Sequence, residues 1–150
     1  MSDKKDIDCV RIEADASFVQ IGDDIKAGIA AVLQDNETGE AVFAVGKSIN
    51  CRDNQMAELY AILYALEEIP QNGCTVELFN DSQDAIGLIN GEITCPERYF
   101  EVAQKIRNRV RQKKLTVTFV WRPRTEQSVA DALSTLAARK AENEEIRAKI

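Results

Sequence analysis

The sequence predicts an α/β fold, a five-stranded mixed sheet covered on its faces by helices. Two patterns lead there. From Ile7 to Ile49, three runs of strand-forming residues are joined by short polar turns, the mark of an antiparallel meander. From Asp53 onward, helical and strand-like segments alternate, which requires crossovers and a mixed sheet. With 150 residues, 45% of them apolar and 29% charged, the chain is expected to form one domain over residues 1–150, with its core at about 8–140.

Residues 7–18 read as the first strand, with Val10, Ile12, Ala14 and Ala16 alternating against Cys9, Arg11, Glu13 and Asp15. Gly22-Asp23-Asp24 turns the chain into a second strand, 25–33, and Asn36-Glu37-Thr38-Gly39 turns it into a third, 41–49. Asp53-Asn54 cap a helix over 54–69 that Pro70 ends. Met56, Leu59, Ile62, Leu63, Leu66 and Ile69 give it more than one apolar face, so it should lie packed against the sheet. Asn72-Gly73 leads into strand 74–80, followed by a short helix from Ser82 to about Asn90. A further helix is expected over 97–113, with Tyr99, Ala103, Ile106 and Val110 as its apolar stripe. Leu115 to Trp121 is the fifth strand, Trp121 being expected in the sheet core, and a last helix starts near Glu126. The charged stretch from Lys140 to Ile150 is left open between helix and tail.

Composition narrows the chemistry. There is no histidine, so Ser-His-Asp and Cys-His catalysis are excluded, and proton transfer falls to carboxylates, lysine, tyrosine or water. Cys9, Cys51, Cys74 and Cys95 are far apart in sequence and form no C-x-x-C pair, which predicts reduced thiols and no zinc. The polar N-terminus and the lack of a long apolar run predict a cytoplasmic protein with no membrane partner. Net charge is −6, yet nine basic residues face only two acidic ones between Pro96 and Arg124, giving +7 there and −13 elsewhere. Such a run is either a solvated helix face or a footprint for a polyanion.

Four carboxylates sit where charge is awkward. Asp15 lies within a strand, and Glu58 lies in a helix among Ala61, Ile62, Ala65 and Ile69. Asp81 follows the apolar run Val76-Glu77-Leu78-Phe79, and Asp131 stands inside Val129-Ala130-Asp131-Ala132-Leu133. If they converge, they repel one another unless a cation sits among them, which reads as a magnesium site.

The motifs around these residues resemble those of the ribonuclease H family, type 1, over roughly residues 8–140. Ile12-Glu13-Ala14-Asp15-Ala16-Ser17 is similar to the family's first-strand Asp-Gly-Ser motif, and Asn54-Gln55-Met56-Ala57-Glu58-Leu59 to its Asn-Asn/Gln-x-x-Glu helix start. Asn80-Asp81-Ser82-Gln83 resembles its Thr-Asp-Ser-Gln. Trp121-Arg122-Pro123-Arg124 followed by Ala130-Asp131-Ala132-Leu133 resembles the ending of histidine-poor members. The resemblance implies a ribonuclease H-like sheet of three antiparallel strands followed by two parallel ones. It implies Asp15, Glu58, Asp81 and Asp131 as catalytic ligands of two Mg²⁺ ions, with Mn²⁺ as a substitute. It further implies Asn54, Gln55, Ser82 and Gln83 as substrate contacts, the first two reading the 2′-hydroxyl of RNA. The implied reaction is endonucleolytic cleavage of the RNA strand of an RNA–DNA hybrid by a monomer. The stretch from Asp81 to Trp121 is too short for the basic protrusion of many bacterial members, so Arg107 and Arg111 on helix 97–113 are the expected backbone contacts.

Three departures from the family pattern bear on efficiency. Ala16 replaces a glycine, Asp53 stands where many members carry a phosphate-binding threonine, and the flexible-loop histidine has no counterpart. An acid at position 53 would repel a phosphate unless Arg52 compensates. These departures predict lower turnover or altered metal preference, and they keep open a second reading, a nucleic-acid-binding or interaction module with weak or no cleavage.

Overall fold

The computed structural model describes residues 9–150. Its elements run β1 (Cys9–Ile21), β2 (Asp24–Gln34), β3 (Ala41–Ile49), α1 (Asn54–Glu67), β4 (Thr75–Asn80) and α2 (Gln83–Ile89). They continue with α3 (Phe100–Gln112), β5 (Thr116–Trp121), α4 (Ser128–Ala138) and β6 (Glu145–Lys149). Short 3₁₀ turns at Glu97–Tyr99 and Arg124–Glu126 lead towards α3 and α4. The expected start of the first strand, at Ile7 and Asp8, lies outside the described residues.

The sheet is ordered β5-β4-β1-β2-β3-β6. β1, β2 and β3 form the antiparallel meander, and β4 and β5 pair in parallel on the other side of β1. The mixed α/β architecture is as the sequence predicts, with one strand more than the five expected. The stretch left open between helix and tail contains β6, antiparallel to the edge of β3 from Phe43↔Lys149 to Lys47↔Glu145. Arg147 anchors it with a two-armed ion pair to Glu68, at 3.1 and 2.9 Å.

Strand alternation sends apolar side chains to one face. Ile12, Ala14, Ala16, Ile29, Val76 and Leu78 form a buried core with Leu59, Ile62 and Leu66 of α1 and Ile106 of α3. Tyr99, Ala103 and Ile106 are buried and Val110 packs against this core, so the expected apolar stripe faces α1. The helix α1 begins where its capping signal lies, the Asp53 carboxylate accepting the N–H of Met56 at 3.0 Å. Lys113 caps its other end by donating to the carbonyls of Leu66 and Ile69, at 3.0 and 2.6 Å.

The opposite face carries Glu13, Asp15 and Ser17 and is covered by α4. That helix lies very close to the sheet because position 28 is glycine. A Cβ there would stand 2.1 Å from the Ser134 carbonyl oxygen and 2.4 Å from the Ala138 nitrogen, so any side chain would push α4 away. Position 28 therefore sets how near α4 brings Asp131 and Ser134 to β1. Among the described residues, no helix is long and apolar enough to cross a membrane.

Candidate functional site

Pairing between β1 and β4 ends at Glu13↔Phe79, so β1 runs on past the carboxyl end of β4 without a partner on that side. Clefts at the carboxyl ends of parallel strands are where open α/β sheets place ligands. Asp15 sits on this unpaired stretch, Asp81 in the turn after β4, and Glu58 in the second turn of α1. Each of the three offers a carboxylate oxygen, and those oxygens all lie within 4.8 Å of one another.

Burial makes this grouping costly. Asp15 is 0% exposed, its Oδ2 accepts only a 3.3 Å bond from the Ser134 hydroxyl, and its Oδ1 has no hydrogen-bond partner. Loss of water, then the charges of Glu58 and Asp81, push its pKa up to about 9. Burial likewise raises Glu58 to about 8, against an opposing hydrogen bond from Asn80. A set of carboxylate oxygens, one of them buried and unpaired, fits a hard divalent cation.

The fourth expected ligand takes a different place. Asp131 is not within the close group; it is joined to it through Arg124, whose Nη1 lies 2.7 Å from Asp131 Oδ1 and whose Nε lies 3.1 Å from Asp81 Oδ2. This guanidinium supplies positive charge between the two acids, a role that the place of Arg124 in the sequence motif does not assign to it.

A cleft of about 710 Å³ opens here, walled by Ala16, Asn54, Gln55, Glu58, Ser82 and Asp131 among others. Asn54, Gln55 and Ser82 thus share one cleft with two of the four acids. Gln83 is exposed and lies outside the lining, while its neighbour Asp84 contributes to it. Ser82 is also the cap of α2, its hydroxyl accepting the N–H of Ala85 at 3.1 Å. Arg107 and Arg111 are exposed but do not line the cleft. They stand two and three turns beyond Tyr99, about 12 and 18 Å along the helix axis from the end of α3 that meets the cleft.

Two expectations are corrected. The partners of Asp53 are Tyr99 and Arg98, not Arg52: the Tyr99 hydroxyl donates to its carboxylate at 2.8 Å and Arg98 Nε lies 3.4 Å away. Arg98 also stacks over the Tyr99 ring at 4.6 Å, so the acid holds a guanidinium on the cleft wall and does not stand there as an isolated negative charge. Trp121 is 42% exposed, not sheet core, because β5 is an edge strand; its indole N–H donates to the Asp81 carbonyl at 3.1 Å.

The sequence profile of the family described as "Reverse transcriptase-like" matches residues 13–137. Among curated proteins none matches the sequence significantly. Among solved structures, the chain is 25% identical to LC11-RNase H1, crystallised with an RNA/DNA hybrid, with a TM-score of 0.75 over 86% of this chain and 96% of that one. It is 26% identical to RNase H1 of the halophilic archaeon Halobacterium salinarum, with a TM-score of 0.63 over 87% of this chain and 99% of that one. The foamy viral protease-reverse transcriptase with RNA/DNA hybrid shares the fold at 16% identity, matching 88% of this chain but 20% of the viral one, with a TM-score of 0.72. The chain belongs to the reverse transcriptase-like family, and within it to the ribonuclease H proteins, consistent with type 1.

Proposed function

We propose that the protein is a metal-dependent endonuclease that hydrolyses the RNA strand of RNA–DNA hybrids. The observation that carries this reading is the group formed by Asp15, Glu58 and Asp81, three carboxylates within 4.8 Å beside an open cleft. Asp15, Glu58, Asp81 and Asp131 would hold two divalent cations, Mg²⁺ or Mn²⁺. When bound, such ions neutralise charge on the phosphate and make water a usable nucleophile near neutral pH, a task no histidine performs here.

The chain's own residues supply binding and orientation. Asn54 and Gln55 stand at the start of α1 on the cleft wall, where their amides can both donate to and accept from a ribose 2′-hydroxyl. Ser82 lines the same wall, with Gln83 one residue on at the exposed start of α2. Arg98, held by Asp53 and Tyr99, offers a preset guanidinium to a substrate phosphate. Asp131 joins the other acids when Arg124 moves aside or turns to the substrate. The protein acts as a monomer in the cytoplasm, where its four cysteines stay reduced; among the described residues no disulfide joins them.

The test is a panel of end-labelled RNA–DNA hybrid, double-stranded RNA and double-stranded DNA, each with Mg²⁺, Mn²⁺ or chelator. Cation-dependent cuts confined to the RNA of the hybrid are expected. Equal cutting of DNA would reassign the substrate.

Helix α3 is proposed as the second contact, reaching the hybrid backbone away from the cleft. The double variant Arg107→Glu, Arg111→Glu should weaken hybrid binding about tenfold at low salt and flatten the log–log salt dependence by roughly 1–2 units, with kcat kept. Fluorescence anisotropy across a salt series reads this directly. An unchanged slope would return the helix to a solvated face.

A further inference from the structure

Strand β4 ends in Asn80, which is fully buried, and its whole side-chain amide is spent inside the frame of the acidic group. Its Nδ2 donates to the Ala14 carbonyl at 2.9 Å and to Glu58 Oε1 at 3.0 Å. Its Oδ1 accepts the N–H of Ser82 at 2.8 Å. One side chain therefore ties together β1 one residue before Asp15, helix α1 at Glu58 itself, and the turn that carries Asp81.

The chemistry of the tie is specific to an amide. Nδ2 has two hydrogens, and each is used on a different acceptor. A threonine hydroxyl, which the ribonuclease H motif carries at this place, has one hydrogen and cannot serve both acceptors at once. An aspartate has none and would add a further negative charge beside Glu58. An alanine would leave the Ala14 carbonyl with only its longer 3.3 Å bond from Gln127, and would free Glu58 to turn.

We propose that Asn80 is a positioning residue that fixes the direction of the Glu58 carboxylate relative to Asp15 and Asp81, and thereby sets how tightly this chain binds divalent cation. The proposal rests on the metal-dependent reading given above. Groups that orient metal ligands without touching the metal commonly change affinity by about 10–100-fold when removed, and a similar loss is expected here.

The experiment is calorimetric titration of Mn²⁺ into the full chain without nucleic acid, for wild type, Asn80→Thr, Asn80→Ala and Glu58→Gln. Melting curves in chelator run alongside. Asn80→Thr should stay folded, bind Mn²⁺ at least about tenfold more weakly, and lower kcat on hybrid while KM changes less than about twofold. Glu58→Gln should bind at least as weakly. A folded Asn80→Thr with wild-type Mn²⁺ affinity, beside a weakened Glu58→Gln, would overturn the role of Asn80 while leaving the metal site standing. Wild-type protein that takes up no Mn²⁺ would overturn both.

Should the variants fail to fold, wild-type protein labelled with ¹⁵N still decides the matter. The Asn80 side-chain amide pair should be protected from exchange and should shift when Mg²⁺ is added. A rapidly exchanging pair that ignores Mg²⁺ would overturn the proposal.

Discussion

Asp15→Asn should abolish cation-dependent cleavage of the hybrid while making the metal-free protein more stable. The two effects have one cause. Asp15 is completely buried, its Oδ1 has no partner, and burial together with the Glu58 and Asp81 charges pushes its pKa up to about 9. Without a cation, folding must either bury an ionised Asp15 or take up a proton there, and above about pH 4 either route costs stability, up to several kcal/mol. Asparagine keeps the shape and removes the charge. A gain of about 2 kcal/mol is expected, which for a chain of this size raises Tm by roughly 4–8 °C. The same change removes a ligand from the proposed site, and activity should fall by about 10³-fold or more. Scanning calorimetry in chelator, paired with a hybrid cleavage assay, reads both. A variant that is less stable and fully active would contradict the assignment.

Stability of the metal-free protein should also fall as pH rises, the reverse of what carboxylates held in ion pairs produce. Asp15 and Glu58 titrate at about 9 and about 8 in the folded protein, far above their ordinary values of 3.8 and 4.5. Between those limits the folded state holds more protons than the unfolded state, so raising pH favours unfolding. Buried Glu13, also raised by burial, adds to the same trend. The stabilising contribution is fully present below about pH 4 and lost as pH climbs through about 8 to 9. In chelator, stability should fall by several kcal/mol from pH 5.5 to 8.5, lowering Tm by about 10 °C or more. Saturating Mg²⁺ should cancel most of the drop, because pairing with the cation replaces the missing neutralisation. A flat profile in chelator, or one that rises with pH, would contradict the electrostatics assigned to the site.

The frame of the molecule was legible in the sequence because its signals are local. Alternation in β1, the Asp53 cap and Pro70 after α1, and the turn at Gly22 each act within a few residues. Motif order implies that Asp15, Glu58, Asp81 and Asp131 converge; the first three lie within 4.8 Å of one another, and Asp131 stands apart, across Arg124. What escaped depends on contacts across the fold. Glu145 to Lys149 is mostly charged and helix-tolerant, and becomes a strand only because the edge of β3 is there to receive it. Arg124 stands seven residues from Asp131, and no spacing rule says that its guanidinium bridges that acid to Asp81. Nor does sequence place Arg98 and Tyr99 against Asp53, forty-five and forty-six residues earlier in the chain, a contact that changes the meaning of an acid on the cleft wall. Asn80 stands inside a motif, but what its two donors reach depends on β1 and α1 flanking it.

Cleavage of an end-labelled RNA–DNA hybrid by wild type and Asp81→Asn, prepared side by side, tests the central claim most directly. Asp81 sits in the turn after β4, and its carboxylate is paired with Arg124 at 3.1 Å. Wild type should cut the RNA strand only when Mg²⁺ or Mn²⁺ is present, and Asp81→Asn should be inactive yet folded and still able to bind hybrid. A wild-type protein that binds hybrid with no cut under either cation would contradict the nuclease, and would mark the carboxylates as remnants in a binding module.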